Sequence, residues 1–167
     1  MAGIIGATWA LGAWLLIMLW AIFRLSRLTH EAFAFEFSWL HWLALVANLM
    51  FMAWSEGYRG FQLNFSPRLA ARAKHLRENP HPIRVILAPL FCAGYFHTTR
   101  RRQAAISILT VSIVILILVV HQLPQPWRGI IDAGVVLGLT WGLVTMIHQA
   151  ILAFTSARFD VSPEIVD

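Results

Sequence analysis

Charge is scarce in this chain, and acidic charge is scarcer still. Asp, Glu, Lys and Arg make up 13% of its 167 residues, about half the share of an ordinary soluble domain. Eight residues are acidic against 13 basic, and no carboxylate-rich metal box, HExxH or CxxCH is present. Cys92 is the only cysteine, which excludes an intrachain disulfide and a thiolate cluster and leaves the redox compartment unreadable. A Ser/His/Asp motif, a P-loop and a dinucleotide glycine fingerprint are also missing. So are internal repeats, low-complexity tracts and interdomain linkers. No repeated ten-residue alternation points to a membrane barrel.

What the chain has instead is apolar length. Hydrophobic residues make up 59% of it and the mean hydropathy is +0.68, concentrated in blocks, as expected where a bilayer is the solvent. Lipid cannot satisfy backbone polar groups, so the blocks predict helices. Four spans are expected, at about residues 3–23, 35–54, 104–123 and 130–154. Twenty residues at 1.5 Å each cover roughly 30 Å, the hydrocarbon thickness. The first block has no Lys or Arg before it and no small-residue cleavage site after it, so it reads as a retained helix. The β-branched run from Ile113 to Val120 would suggest a strand in water, but its length and continuity read as a helix in lipid. Pro124 and Pro126 close that span, and Trp20, Trp39, Trp42, Trp54 and Trp127 lie near span ends, where aromatic anchors belong.

Residues 83–97 form a shorter apolar segment that contains Arg84, Pro89 and Gly94. If it crossed, there would be five spans, with basic residues divided six against seven. If it does not cross, residues 55–103 and Arg158 place ten basic residues on one side, against Arg24, Arg27 and Arg128 on the other. The positive-inside rule selects the second arrangement. The expectation is therefore a single all-α membrane domain: a four-span helical bundle in a bacterial inner membrane, with both termini cytoplasmic. Residues 83–97 would then be re-entrant or interfacial. Arg24 and Arg27 are a local exception to the rule.

The net charge of +5 falls mostly in one juxtamembrane region, which points to anionic lipid headgroups rather than nucleic acid. Ser66-Pro67 reads as the start of a helix running to about Glu78. Leu69, Ala73 and Leu76 line one face of it, and Arg68, Arg72 and His75 another. Such a basic amphipathic helix either lies on the headgroup layer or packs beneath the bundle. Arg68, Arg72, Arg84, His97, Arg100, Arg101 and Arg102 are the candidate headgroup contacts, since guanidinium offers paired donors to phosphate. The alternative role for these residues is topology anchoring.

Ser38, His41, Asn48 and Ser55 form a polar seam on the second span, continued by Glu56 and Arg59. It reads either as interhelical hydrogen bonding or as the lining of a path. The glycines of Glu56-Gly57-Tyr58-Arg59-Gly60 would permit a turn where that helix ends. Gly134, Gly138 and Gly142 align on the fourth span and predict close helix packing, within the bundle or between copies. Gly6 and Ala10 offer a similar patch on the first span. Asp132 stands four residues after Arg128 and should pair with it. A haem would need His41, His97, His121 or His148, but no span stacks two histidines, and no cofactor or metal is expected.

The stretch at residues 54–76 with EGYRGF, and the later FHTTRRR, resembles a loose group of uncharacterised small multi-pass inner-membrane proteins of Gram-negative bacteria. The resemblance implies a location and no activity. The leading expectation is a non-enzymatic structural or accessory subunit that contacts a membrane partner or its own copies, and anionic lipid. An oligomeric transporter or channel along the seam is the alternative. A lipid-headgroup-modifying enzyme is a third, which requires Glu56 and His97 to converge.

Overall fold

The computed structural model describes residues 1–156 and 159–165, and every regular element among them is helical. Arg158, counted above with the basic side, lies outside the described residues. Among the described residues, three helices are long and apolar enough to cross a membrane: α1 (Ala2–Ala32), α6 (Arg100–Val120) and α7 (Trp127–Thr155).

Helix α1 runs well past the expected residue 23. Nothing between Phe23 and Ala32 breaks a helix, and Ala32 is buried against the start of α7. Arg24 and Arg27 therefore sit on the helix, each stacked at 5.3 Å over the aromatic ring one turn back, Trp20 and Phe23 respectively.

The second apolar block does not end at residue 54. Helix α2 (Trp39–Met52) passes without interruption through widened, π-type turns (Ala53–Phe65) into α3 (Ser66–Glu78), making one rod. Gly57 makes no turn here. Its missing Cβ admits the Trp141 ring, which a Cβ would meet at 2.9 Å. Ser66 is likewise not a free N-cap: it is fully buried, and its hydroxyl lies 3.1 Å from that of Thr145 on α7. Proline lacks an N–H and would clash with the carbonyl one α-turn back; the widened turns before Pro67 relieve both demands.

Helix α3 lies inside the base of the bundle rather than on its surface. Ser66, Leu69, Ala70, Ala71, Arg72, Ala73 and Leu76 are all buried, because the alanines keep several faces slim enough for α1, α7 and the short helix at Ala88–Ala93 to approach together. Of the two placements open to this basic helix, the structure has the packed one. Residues 83–97 contribute two short helices, α4 (Pro82–Ile86) and α5 (Ala88–Ala93). At 1.5 Å per residue, neither reaches a third of a roughly 30 Å hydrocarbon core. They tuck against α1 and α3, tied by Trp14 Nε1 donating to the Pro89 carbonyl at 2.9 Å. Gly94, with φ 92°, ends α5 in the left-handed region.

The core gathers at this base, where Ala7, Ala10, Leu69, Leu76, Phe91 and Met146 meet. The start of α1 abuts Arg77 at the end of α3, and Arg77 stacks on Phe154 of α7. At the far end Ala32 of α1 meets Gly129 of α7. Helix α1 is thus antiparallel to both the rod and α7, and Met1 lies at the same end as residues 159–165.

Candidate functional site: an arginine cluster at the base

Arg72 is 3% exposed, and its guanidinium has no carboxylate partner of its own among the described residues. Backbone carbonyls surround it instead. Nε donates to Pro163 at 2.9 Å, Nη1 to Phe91 at 2.6 Å and Phe96 at 3.2 Å, and Nη2 to His97 at 2.7 Å and Glu164 at 3.2 Å. The planar fork of arginine suits this arrangement, and the Phe91 ring closes one face at 5.1 Å. Hydrogen bonds from a charged donor contribute about 1.5–3 kcal/mol each, which offsets a desolvation penalty of several kcal/mol. Burial pushes the Arg72 guanidinium below its ordinary pKa; Cys92 opposes that shift and Arg84 adds to it. Arg72 was expected to face headgroups. Here it ties α3 to the turn after α5 and to the C-terminal tail, leaving no donor for a lipid.

The accessible guanidiniums flank it. Arg68 and Arg102 both pair with the Glu164 carboxylate, Arg68 at 4.0 Å. Arg84 stacks at 5.6 Å over Phe91, and its Nη2 lies 3.5 Å from His97 Nδ1. Arg100 and Arg101 are exposed and stand at the start of α6. The fold therefore brings together Arg68, Arg72, Arg84, His97 and Arg102, and leaves Arg100 and Arg101 at the rim. A cleft of about 260 Å³ adjoins the cluster, lined by Phe65, Arg68, Cys92, Arg102, Ile106 and Leu109 among others. Burial pushes the pKa of Arg68 down as well.

The polar seam is occupied by structural bonds. Ser38 and His41 cap α2, with His41 Nδ1 3.1 Å from both the Ser38 amide and its hydroxyl. Asn48 donates to the Ile130 carbonyl of α7 at 2.7 Å, and Ser55 donates to Phe51 one turn back at 2.7 Å. Arg59 stacks over Trp54 at 5.0 Å, and no ion pair joins it to Glu56 among the described residues. Glu56 sits beside Gly138, and it stands 16 residues from Arg72 along the rod, roughly 24 Å at the α-helical rise of 1.5 Å per residue and somewhat less through the wider turns. Since His97 lies against Arg72, Glu56 and His97 do not converge.

Gly134, Gly138 and Gly142 are all buried and face the rod. Asn48 and Met52 fill the space at Gly134, Glu56 Cβ that at Gly138, and the Phe61 ring that at Gly142. Gly6 serves Leu76 and Val85 in the same way. The glycine face is thus occupied within one copy. Arg128 pairs with Asp132 at 3.8 Å, as their spacing predicts, and with His121 at 2.9 Å. The four histidines weighed for haem are dispersed: His41 stacks on Trp127 at 4.8 Å, His121 meets Arg128, His97 lies against Phe96, and His148 is exposed.

Sequence reasoning missed Pro163, Phe91 and above all Glu164. A lone glutamate in a polar tail carries no periodic signal, and only the folded tail brings it to the arginines. No family model, curated protein or solved structure matches this chain.

Proposed function

We propose that the chain is a non-catalytic accessory subunit of a bacterial inner membrane that crosses four times, with both termini cytoplasmic and its basic base against anionic lipid. In this reading α1, the α2 rod, α6 and α7 are the crossings, and α3, α4 and α5 form the cytoplasmic-side base. The observation that carries it is the fate of the interior polar groups. Arg72 and Asn48 are bonded to backbone carbonyls, and His41 caps a helix. Groups held this way fix helix positions and are poorly placed to pass a proton or attack a substrate. What remains for interaction is the basic rim and the uncovered α6, whose apolar window is 6% buried.

Topology is tested with single cysteines at positions 81 and 122 in a Cys92→Ala background, labelled from each side of inner-membrane vesicles. The reading requires 81 on the cytoplasmic face and 122 on the other; labelling of both from one side refutes it. The accessory role is tested by crosslinking in native membranes from photoreactive residues at α6 positions 109, 113 and 117. A discrete adduct of fixed stoichiometry is expected. Only lipid adducts at all three positions would remove the case for a subunit.

A further inference from the structure

Among the described residues, Arg68 and Arg102 carry two positive charges against a single shared carboxylate. Arg68 and Arg102 share Glu164, while Arg72 is satisfied by neutral carbonyls. The carboxylate side chain is 44% exposed and Arg68 is 39% exposed, so water and ions reach this pair. The exposed Arg68–Glu164 pair holds weakly, at about 0.2–1 kcal/mol, while Arg102, 19% exposed, is the better shielded partner of the same carboxylate.

The backbone that delivers the carboxylate is itself under tension. Among the described residues, only His97 (φ 53°) and Glu164 (φ 45°) adopt left-handed conformations without being glycine. Both point their carbonyls at Arg72 Nη2. A side-chain-bearing residue in this region costs about 1–2 kcal/mol, so the tail is held in place against a local preference. A carboxylate on a strained, partly exposed tail is a replaceable occupant.

Beside that carboxylate lies the cleft. Phe65, Ile106 and Leu109 make one part of its wall apolar, and Arg68 and Arg102 stand at its edge. The Ile106–Leu109 wall continues into the bare apolar surface of α6, where Ile108, Leu109 and Val111 are exposed. A ligand that fits this arrangement has an anionic head for the two guanidiniums and an apolar chain that follows α6. A free phosphate uses only the first half of the site, whereas a phospholipid uses both.

We infer that Glu164 occupies the seat of a phospholipid phosphate: with the tail docked the carboxylate blocks Arg68 and Arg102, and with the tail withdrawn these arginines take the phosphodiester of an anionic lipid whose chain lies along Phe65, Ile106 and Leu109. This rests on the reading that the base of the bundle meets anionic lipid, and adds that the chain carries its own competitor for that lipid. No bond is made or broken; one anion replaces another.

The test uses the full chain in neutral-detergent micelles doped with phosphatidylglycerol or phosphatidylcholine, with bound lipid counted by native mass spectrometry. Wild type should retain one phosphatidylglycerol in preference to phosphatidylcholine. Glu164→Gln should raise the affinity for phosphatidylglycerol about three- to tenfold, the gain expected when a weak internal competitor is removed. The gain should be one phosphatidylglycerol per chain, which non-specific adhesion of a misfolded basic chain would not give. The pair Arg68→Gln with Arg102→Gln should abolish the preference whether or not Glu164 is present. If Glu164→Gln leaves the affinity unchanged while the arginine pair lowers it, the seat is refuted and the lipid-facing base survives. If no form prefers phosphatidylglycerol, the lipid-facing base fails and the inference falls with it. If millimolar inorganic phosphate displaces the lipid from Glu164→Gln completely, the site is one for free phosphate and the commitment to lipid is overturned.

Discussion

Helices α6 and α7 are both long and apolar enough to cross a membrane, yet the fold treats them in opposite ways. The more apolar of the two, α6, has mean hydropathy 2.7 and 6% of its window buried; α7 has 1.9 and 39%. Burial therefore runs against apolarity. The reason lies in side-chain size. Along α7, Gly134, Gly138 and Gly142 open a groove that Asn48, Met52, Glu56 and Phe61 enter from the rod. Along α6, a run of Ile, Val and Leu from Ile113 to Val120 offers no groove. Its polar links to the rest of the fold are the Arg102–Glu164 pair at its start and, at mid-helix, the Tyr95 and Thr110 hydroxyls 2.6 Å apart. In lipid an isoleucine gains little by leaving one hydrocarbon surface for another, so close backbone approach and hydrogen bonding select which helices associate.

That contrast can be broken most forcefully at the base. Arg72→Met should destabilise the purified protein by at least about 3 kcal/mol, because several buried carbonyls lose a charged donor together. The loss should appear as a large fall in thermal midpoint in detergent. Next comes the groove itself. A Cβ at Gly142 would meet the Phe61 ring at 2.6–2.8 Å, so Gly142→Leu should cost about 1–3 kcal/mol by overpacking. The matching change on α6, Ser112→Leu, should shift stability by no more than about 0.5 kcal/mol, since Ser112 is exposed. Equal losses from both would abolish the distinction between the helices.

A smaller effect sharpens the comparison further. Asn48→Leu removes the bond to the Ile130 carbonyl, and its cost should be about 0.6 kcal/mol, the average for interhelical hydrogen bonds in membranes. Smallest at neutral pH is the contribution of Cys92 ionisation. Burial pushes this thiol from 9.0 up to about 12, with Arg72 opposing, so it should react with maleimide far more slowly than a free thiol at pH 8. Between about pH 9 and 12 the unfolded chain releases the thiol proton while the folded chain holds it. Stability should therefore fall with rising pH across that window, and less so in Cys92→Ala. Fast labelling of the folded protein at pH 8 would contradict the buried placement.

Much of the architecture was legible before folding was considered. Long apolar blocks declared membrane-length helices at α1, α6 and α7, because hydropathy over twenty residues is a local sum. The four-residue spacing of glycines on α7 declared a packing face, because helical periodicity is local too. The Arg128–Asp132 pair followed from the same periodicity. Less legible was where an element stops. Gly57, Gly60 and Ser66-Pro67 read as breaks in a chain seen alone, but Trp141 and Thr145 of α7 hold the rod together through them. The basic face of α3 left two placements open, on the headgroup layer or beneath the bundle, because nothing local announces that Phe91, Phe96 and His97 will turn their carbonyls toward Arg72.

The sequence by itself determined that this protein is helical, apolar enough for a bilayer and rich in arginine along one stretch of the chain, since those properties depend on residue type and short-range spacing. Only the tertiary structure decided which helix is covered, which arginine is buried and which glutamate answers the cluster. Those outcomes depend on contacts between residues as far apart as Arg72 and Glu164, and no local pattern encodes such a distance.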